Sequence, residues 1–287
     1  MNDELFVRSI HLPSADDEFN FFMRVNERMY DTLYPFQIFP QKDLRTAEFA
    51  PVTILYGGNG SGKTTLLNII ACLLGVRRTA PFSSSALFGK YVSLCQAEHQ
   101  RIPENSQIVT SDDVFDYLLN LRCMNDGIDH RRQALFDEYA ERKNTPRRLQ
   151  GLDDYDAWKE YADAKRQSQN QFVRARLTPN PKMQSNGESA LQYFAQRITQ
   201  DALYLLDEPE NSLSFENQEK LSQFLLDSVR FYGCQFILST HSPVLLSMKG
   251  ALVYDLDGTP VTPRKWTDLA NVRRSFDFFE RHREEFL

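Results

Sequence analysis

The run Gly57-Gly58-Asn59-Gly60-Ser61-Gly62-Lys63-Thr64 fits the spacing GxxxxGK[ST], which suits the cradling of a polyphosphate. Glycines let successive backbone N–H groups curl around phosphate oxygens, and the start of the helix that follows adds the positive end of its dipole. The expected phosphate-binding set is Gly57, Gly58, Asn59, Gly60, Ser61, Gly62, Lys63, Thr64 and Thr65. In it Lys63 would reach the β- and γ-phosphates of ATP, and the Thr64 hydroxyl would ligate Mg²⁺. A second run, Leu203-Tyr204-Leu205-Leu206-Asp207-Glu208-Pro209-Glu210, delivers two carboxylates at the end of an apolar strand, where ligands sit in open α/β sheets. Asp207 suits the metal's surroundings, and Glu208 suits orienting and deprotonating an attacking water. Two adjacent acids at a strand end are otherwise a plain turn. A third candidate is Gln184-Ser185-Asn186-Gly187-Glu188-Ser189, a polar, glycine-containing helix start that could bind an anion or be an ordinary N-cap through Ser185 or Asn186.

These residues need a frame. Pro51 to Tyr56 is a compact, β-branched apolar run stopped by glycines, the pattern of a buried strand. The residues from Thr64 to Leu74 are almost all apolar, which predicts a helix buried between layers. Between about Asp112 and Asn180 the chain turns helical, with Val114, Tyr117, Leu118 and Leu121 on one period and Tyr155, Trp158, Tyr161 and Ala162 on another. After it come an amphipathic helix (Leu191, Phe194, Ala195, Ile198), a buried strand (Ala202 to Leu206), a polar helix (about Phe215 to Phe231), strands at Gln235 to Ser239 and Ala251 to Leu256, and a charged C-terminal helix. Strands alternating with helices of this length predict a mostly parallel α/β sheet. Leu5 to Leu12 reads as a strand, and the aromatic stretches Phe19 to Met23 and Tyr34 to Phe39 read as sheet and connectors.

Composition excludes several classes. With 287 residues, 41% hydrophobic and 25% charged, the chain is neither collagenous, nor disordered, nor a disulfide scaffold. Its longest apolar run, Leu66 to Val76, contains Asn68 and falls short of the roughly 20 residues that a membrane span requires. No membrane insertion is expected. The opening Met1-Asn2-Asp3-Glu4 is acidic where an export signal is basic, and the four scattered cysteines form no CxxC pair, so a reduced, cytoplasmic setting is expected. The net charge is −6, yet Arg131 to Lys182 carries 12 Lys+Arg against 8 Asp+Glu. A basic middle is therefore flanked by acidic ends.

Lys63 lies 144 residues before Asp207, and Ser185 lies 22 before it. The order of glycine loop, helical segment, Ser-x-Gly-Glu helix start, acidic strand and a His after a strand resembles the ATP-binding-cassette ATPases. Ser185-Asn186-Gly187-Glu188 looks like a degenerate form of that family's signature, Asn211-Ser212-Leu213-Ser214 falls at its D-loop, and Ser239-Thr240-His241-Ser242-Pro243 carries its switch histidine. The run from Glu188-Ser189-Ala190 to Tyr254-Asp255-Leu256-Asp257 resembles soluble bacterial "AAA family" ATPases related to RecF, SMC and OLD-type proteins.

The resemblance implies a single cassette domain over residues 1–287, α/β with a helical insert lobe at about 112–182. It implies an ATP-driven homodimer in which Ser185, Gly187 and Glu188 face the partner's nucleotide, and in which His241 contacts the γ-phosphate. The family's Gln ahead of the insert has no clear counterpart. Ser111, Asp112 or Asp113 after a strand Gln107 to Thr110, or Gln96 after a strand Tyr91 to Cys95, could serve, while the two Asp residues could equally favour a helix start. The adenine contact is open among Tyr34, Phe36 and Phe39.

The basic pairs Arg131-Arg132, Arg142-Lys143, Arg147-Arg148, Lys165-Arg166 and Arg174/Arg176, interleaved with Tyr139, Tyr155, Trp158 and Tyr161, fit either nucleic-acid phosphates or a solvated helical face that docks a protein. The leading expectation is a Mg²⁺-dependent ATPase of DNA maintenance or phage defence, working with DNA or an effector protein. The alternatives are the ATP-binding subunit of a membrane transporter and a non-hydrolytic docking switch.

Overall fold

The structure is a computed structural model, and it describes residues 5–24, 32–144, 173, 176 and 185–287. The chain forms two compact units, one from Met1–Phe115 with Asn186–Leu287 and the other from Asp116–Ser185.

Among the described residues the first unit contains two sheets. The smaller one has β1 (Val7–His11) between β2 (Thr46–Glu48) and β4 (Gln96–His99), all antiparallel. The larger one runs in the order β5 (Gln107–Thr110), β6 (Leu203–Asp207), β7 (Gln235–Ser239), β3 (Val52–Tyr56), β8 (Leu252–Asp255), β9 (Thr262–Pro263). Its first five strands are parallel and only β9 turns back. Every residue of β3, β6 and β7 is buried, as the unbroken apolar runs require of strands covered on both faces. The side chain of Gln235 joins the two sheets: its Oε1 accepts the Val7 N–H at 3.0 Å and its Nε2 donates to the Val7 carbonyl at 2.8 Å.

Register decides where the chemistry sits. Thr110 pairs with Asp207, Asp207 with Ser239, Ser239 with Leu55, and Tyr56 with Asp255. The parallel strands thus finish on one line, and the residues that follow them emerge side by side at the C-terminal edge of the sheet. Helix α2 (Lys63–Leu73) begins at that edge; Lys63 and every residue from Thr65 to Ala71 are buried, while Thr64 and Cys72 are exposed.

Three local expectations are corrected. Phe19 to Met23 lies in α1 (Ala15–Arg24), a helix begun by a reciprocal cap in which the Ser14 amide donates to Asp17 Oδ2 at 2.9 Å and the Asp17 amide to Ser14 Oγ at 3.2 Å. Tyr91 to Cys95 is no strand but the end of α3 (Phe88–Val92) and its exit turn, because Phe88 and Tyr91, three apart, bury one helical face. In α5 (Asn186–Arg197) the buried face uses Tyr193 and Phe194, and Ala195 is exposed.

Helix α4 (Ser111–Asn144) opens the predicted helical segment. The second unit has its own small core of Leu135, Tyr139 and Val173, with Phe136 against it. Tyr155, Trp158, Tyr161, Ala162, Arg147, Arg148, Lys165, Arg166, Arg174 and Lys182 lie outside the described residues.

Candidate active site

The glycine loop leaves β3 and turns into α2 within seven residues, a path that needs backbone conformations closed to most side chains. Gly60 and Gly62 have φ of 79° and 97°, a region L-residues enter only with strain. The Lys63 side chain folds back into the loop: its Nζ donates to the carbonyls of Gly57 at 2.7 Å and Gly58 at 3.1 Å. The Gly58 N–H donates to both carboxylate oxygens of Asp257, at 3.0 and 2.9 Å. That residue follows β8, so the neighbouring strand end pins the loop from outside.

The acidic strand delivers its groups to the same place. Asp207 accepts the Thr64 hydroxyl at 3.1 Å and also the Ser239 hydroxyl. Burial pushes the Asp207 carboxyl above the ordinary range, while those two hydroxyls pull the other way. Glu208 has a left-handed φ of 48°, which turns its side chain toward the glycine loop, with Oε1 3.7 Å from Lys63 Nζ. Asn211 Nδ2 donates to Glu208 Oε2 at 3.0 Å. His241, after β7, completes the group, its Nδ1 3.8 Å from Glu208 Oε1 and 3.6 Å from Glu210 Oε1.

A cleft of about 420 Å³ adjoins this group, lined by Tyr34, Ile38, Glu208 and the residues from Asn59 to Thr65. Tyr34 donates its hydroxyl to Thr65 Oγ1 at 3.2 Å. Phe36 and Phe39 are buried in the core, so of the three aromatic candidates only Tyr34 borders the cleft. Among the described residues no cluster of three or more His, Cys, Asp or Glu forms a protein-only metal site. The Thr64 hydroxyl against the Asp207 carboxylate is instead a pair of hard oxygen donors, which fits Mg²⁺ held jointly with substrate phosphates.

The structure thus brings together Gly57 to Thr65, Asp207, Glu208 and His241. Ser185, Gly187 and Glu188 are not among the residues that line the cleft; Gly187 and Glu188 lie in the first turn of α5, and Ser185 and Glu188 are exposed. Gly187 has no room for a Cβ, which would sit 2.6 Å from Asn217 Nδ2 and 3.5 Å from the Ser212 carbonyl. Gln96 is exposed on the small sheet opposite His11. Asp113 is consumed as a cap, accepting the amides of Ala80 and Thr110 at 3.1 and 2.8 Å, and Ser111 is simply the first residue of α4. Sequence reasoning assigned no role to Glu210 or Asp257. The signals were present as a third acid in Asp-Glu-Pro-Glu and an acid two residues beyond β8.

The family model described as "AAA domain, putative AbiEii toxin, Type IV TA system" matches residues 97–247, just over half of the chain. The chain belongs to this family. It is a P-loop ATPase of ATP-binding-cassette type. Among curated proteins this AAA-domain ATPase is similar to the lipoprotein-releasing system ATP-binding protein LolD of Bacteroides fragilis, 26% identical over 77% of this chain and 92% of that protein. It is likewise similar to LolD 1 of Chlorobium luteolum, 26% identical over 78% and 88%. Among solved structures it resembles the SMC head domain from Thermotoga maritima, at 13% identity and a TM-score of 0.39 over 91% of this chain and 99% of that one. It also resembles the ATP-binding cassette MJ0796, solved as a post-hydrolysis dimer bound to ADP and Pi, at 14% identity and a TM-score of 0.37 over 78% and 90%. Among the described residues no helix is long and apolar enough to cross a membrane.

Proposed function

We propose that the cleft hydrolyses ATP with Mg²⁺, and that the cycle closes and opens a homodimer acting in DNA maintenance or phage defence with DNA or an effector protein. The observation that carries the reading is the meeting of Lys63, Asp207, Glu208 and His241 at one strand edge beside a cleft walled by the glycine loop. Lys63 exchanges the carbonyls of Gly57 and Gly58 for β- and γ-phosphate oxygens, and the loop amides from Asn59 to Thr65 take the rest. Thr64 and Asp207 would hold Mg²⁺, which supplies charge neutralisation on the phosphates. Glu208, steered by Asn211, accepts the proton of the attacking water, and His241 fixes the γ-phosphate. Tyr34 stands where it would meet the nucleoside. Ser185, Gly187 and Glu188, which are not part of this cleft's lining, are assigned to the partner's nucleotide. The whole chain then acts as one cassette domain with the segment at about 112–182 as its lobe.

The basic residues of that lobe and the toxin–antitoxin wording of the family description support the DNA or defence assignment. The four cysteines, all free, fit a reduced cytoplasmic setting. The LolD relatives favour a second reading, the ATP-binding subunit of a membrane transporter.

The test is steady-state ATP hydrolysis with double-stranded DNA titrated in at low and moderate salt, using Glu208→Gln as the blank. Stimulation that fades with salt is expected, because phosphate contacts release counterions. A rate indifferent to DNA would remove DNA as the partner, and co-purification with membrane proteins would favour the second reading.

A further inference from the structure

The segment after β6 carries two carboxylates, on either side of Pro209, that both approach the His241 ring, with Nδ1 3.8 Å from Glu208 Oε1 and 3.6 Å from Glu210 Oε1. Glu208 faces Lys63 and lines the cleft, whereas Glu210 is 6% exposed and is not part of the cleft lining. Its Oε1 accepts the Thr240 hydroxyl at 2.6 Å and the His241 N–H at 3.0 Å. The Thr240 oxygen in turn accepts the Ser242 N–H at 3.0 Å, and Ser242 donates its hydroxyl to Gln218 Oε1 at 2.7 Å. One oxygen of Glu210 therefore organises the whole turn from Thr240 to Ser242, while Oε2 has no partner among the described residues.

A neutral hydroxyl or amide could close such a turn, whose Thr240 and Ser242 are buried. Burying a carboxylate with one oxygen unpaired is costly, and what it gains here is placement: two charge-assisted hydrogen bonds on the backbone and side chain that carry the imidazole. We propose that Glu210 is a positioning residue that holds the loop Thr240–Ser242, and with it the His241 ring, in register with Glu208. The proposal rests on the roles assigned above to Glu208 and His241. It makes the segment Glu208-Pro209-Glu210-Asn211 the common anchor of the group that activates water and the group that meets the γ-phosphate. A shift of about 1 Å between such groups costs on the order of 100-fold in rate.

The experiment pairs turnover with amide hydrogen exchange in the nucleotide-free protein. Glu210→Ala should lower kcat by about 10- to 100-fold, with KM for ATP within about twofold of wild type because the phosphates stay on the glycine loop. Glu210→Gln keeps an oxygen for both bonds and should recover kcat to within about fivefold of wild type. Exchange at His241 and Ser242 should quicken about tenfold or more in Glu210→Ala and stay unchanged in Glu208→Gln. Should Glu210→Ala fail to fold, Thr240→Val removes the Thr240–Glu210 bond from the other side, together with the acceptor of the Ser242 N–H, and should cost about fivefold in kcat. Unchanged exchange in Glu210→Ala overturns the proposal, as does unchanged kcat, or a Glu210→Gln variant as slow as Glu210→Ala. A wild-type protein without turnover overturns the roles of Glu208 and His241 instead, and the exchange comparison then decides the hold of Glu210 on the loop by itself.

Discussion

The two sides of the cleft are built by different means. On the glycine-loop side the geometry resides in the backbone: left-handed glycines, a helix start and a lysine folded onto its own loop carbonyls. On the switch side it resides in side chains that meet across some 30 positions of sequence, Ser239 on Asp207, Thr240 on Glu210 and His241 beside Glu208. The first kind of site is written in consecutive residues. The second exists only once β6 and β7 lie side by side. Binding should therefore depend on the first side and turnover on the second.

The strongest way to break that division outside the charged groups is Gly62→Ala. Its φ of 97° and the Ile38 Cγ2 atom 3.3 Å from the added Cβ should cost about 1–2 kcal/mol, weakening ATP binding about tenfold by calorimetry. Turnover at saturating ATP should change far less. Asp257→Ala removes the acceptor of the Gly58 N–H and should weaken binding about threefold, half a decade, the size of one modest hydrogen bond. An equal fall in kcat for either variant would show that the two sides are not separate.

The same contrast explains what the sequence alone made legible. The strands β3, β6, β7 and β8, the helix α2 and the path from Gly57 to Thr65 follow from local apolar runs and glycine spacing. Glu210 is visible as a residue, but its work depends on Thr240 thirty positions later. Likewise Asp257 acts on Gly58 from 199 positions away. Helix α1 was missed although Ser14 and Asp17 form a capping pair, because the cluster Phe19, Phe21 and Phe22 reads as strand-like out of context. Tyr193 replaced Ala195 on the buried face of α5 because tertiary packing, not the strict helical period, selects which flank faces inward.

The smallest predicted effect lies outside the cleft, under helix α1. Glu18 is buried, its Oε2 accepting the Gln37 N–H at 2.9 Å and its Oε1 without a partner among the described residues. Burial holds its carboxyl above the usual range. A raised carboxyl stabilises the fold most below the unfolded-state pKa and loses that contribution as pH rises through the folded value. Glu18→Gln should thus raise the melting temperature at neutral pH by about 2 °C, and the gain should vanish on acidification. A gain that persists in acid would mean that charge is not its source.

The central claim is tested most directly by measuring ATP affinity and single-turnover hydrolysis side by side for Lys63→Ala and Glu208→Gln. The account predicts that Lys63→Ala loses binding by about 100-fold or more, whereas Glu208→Gln binds ATP as wild type does and hydrolyses it about 10²- to 10⁴-fold more slowly. Wild-type hydrolysis by Glu208→Gln, or undiminished binding by Lys63→Ala, would contradict it.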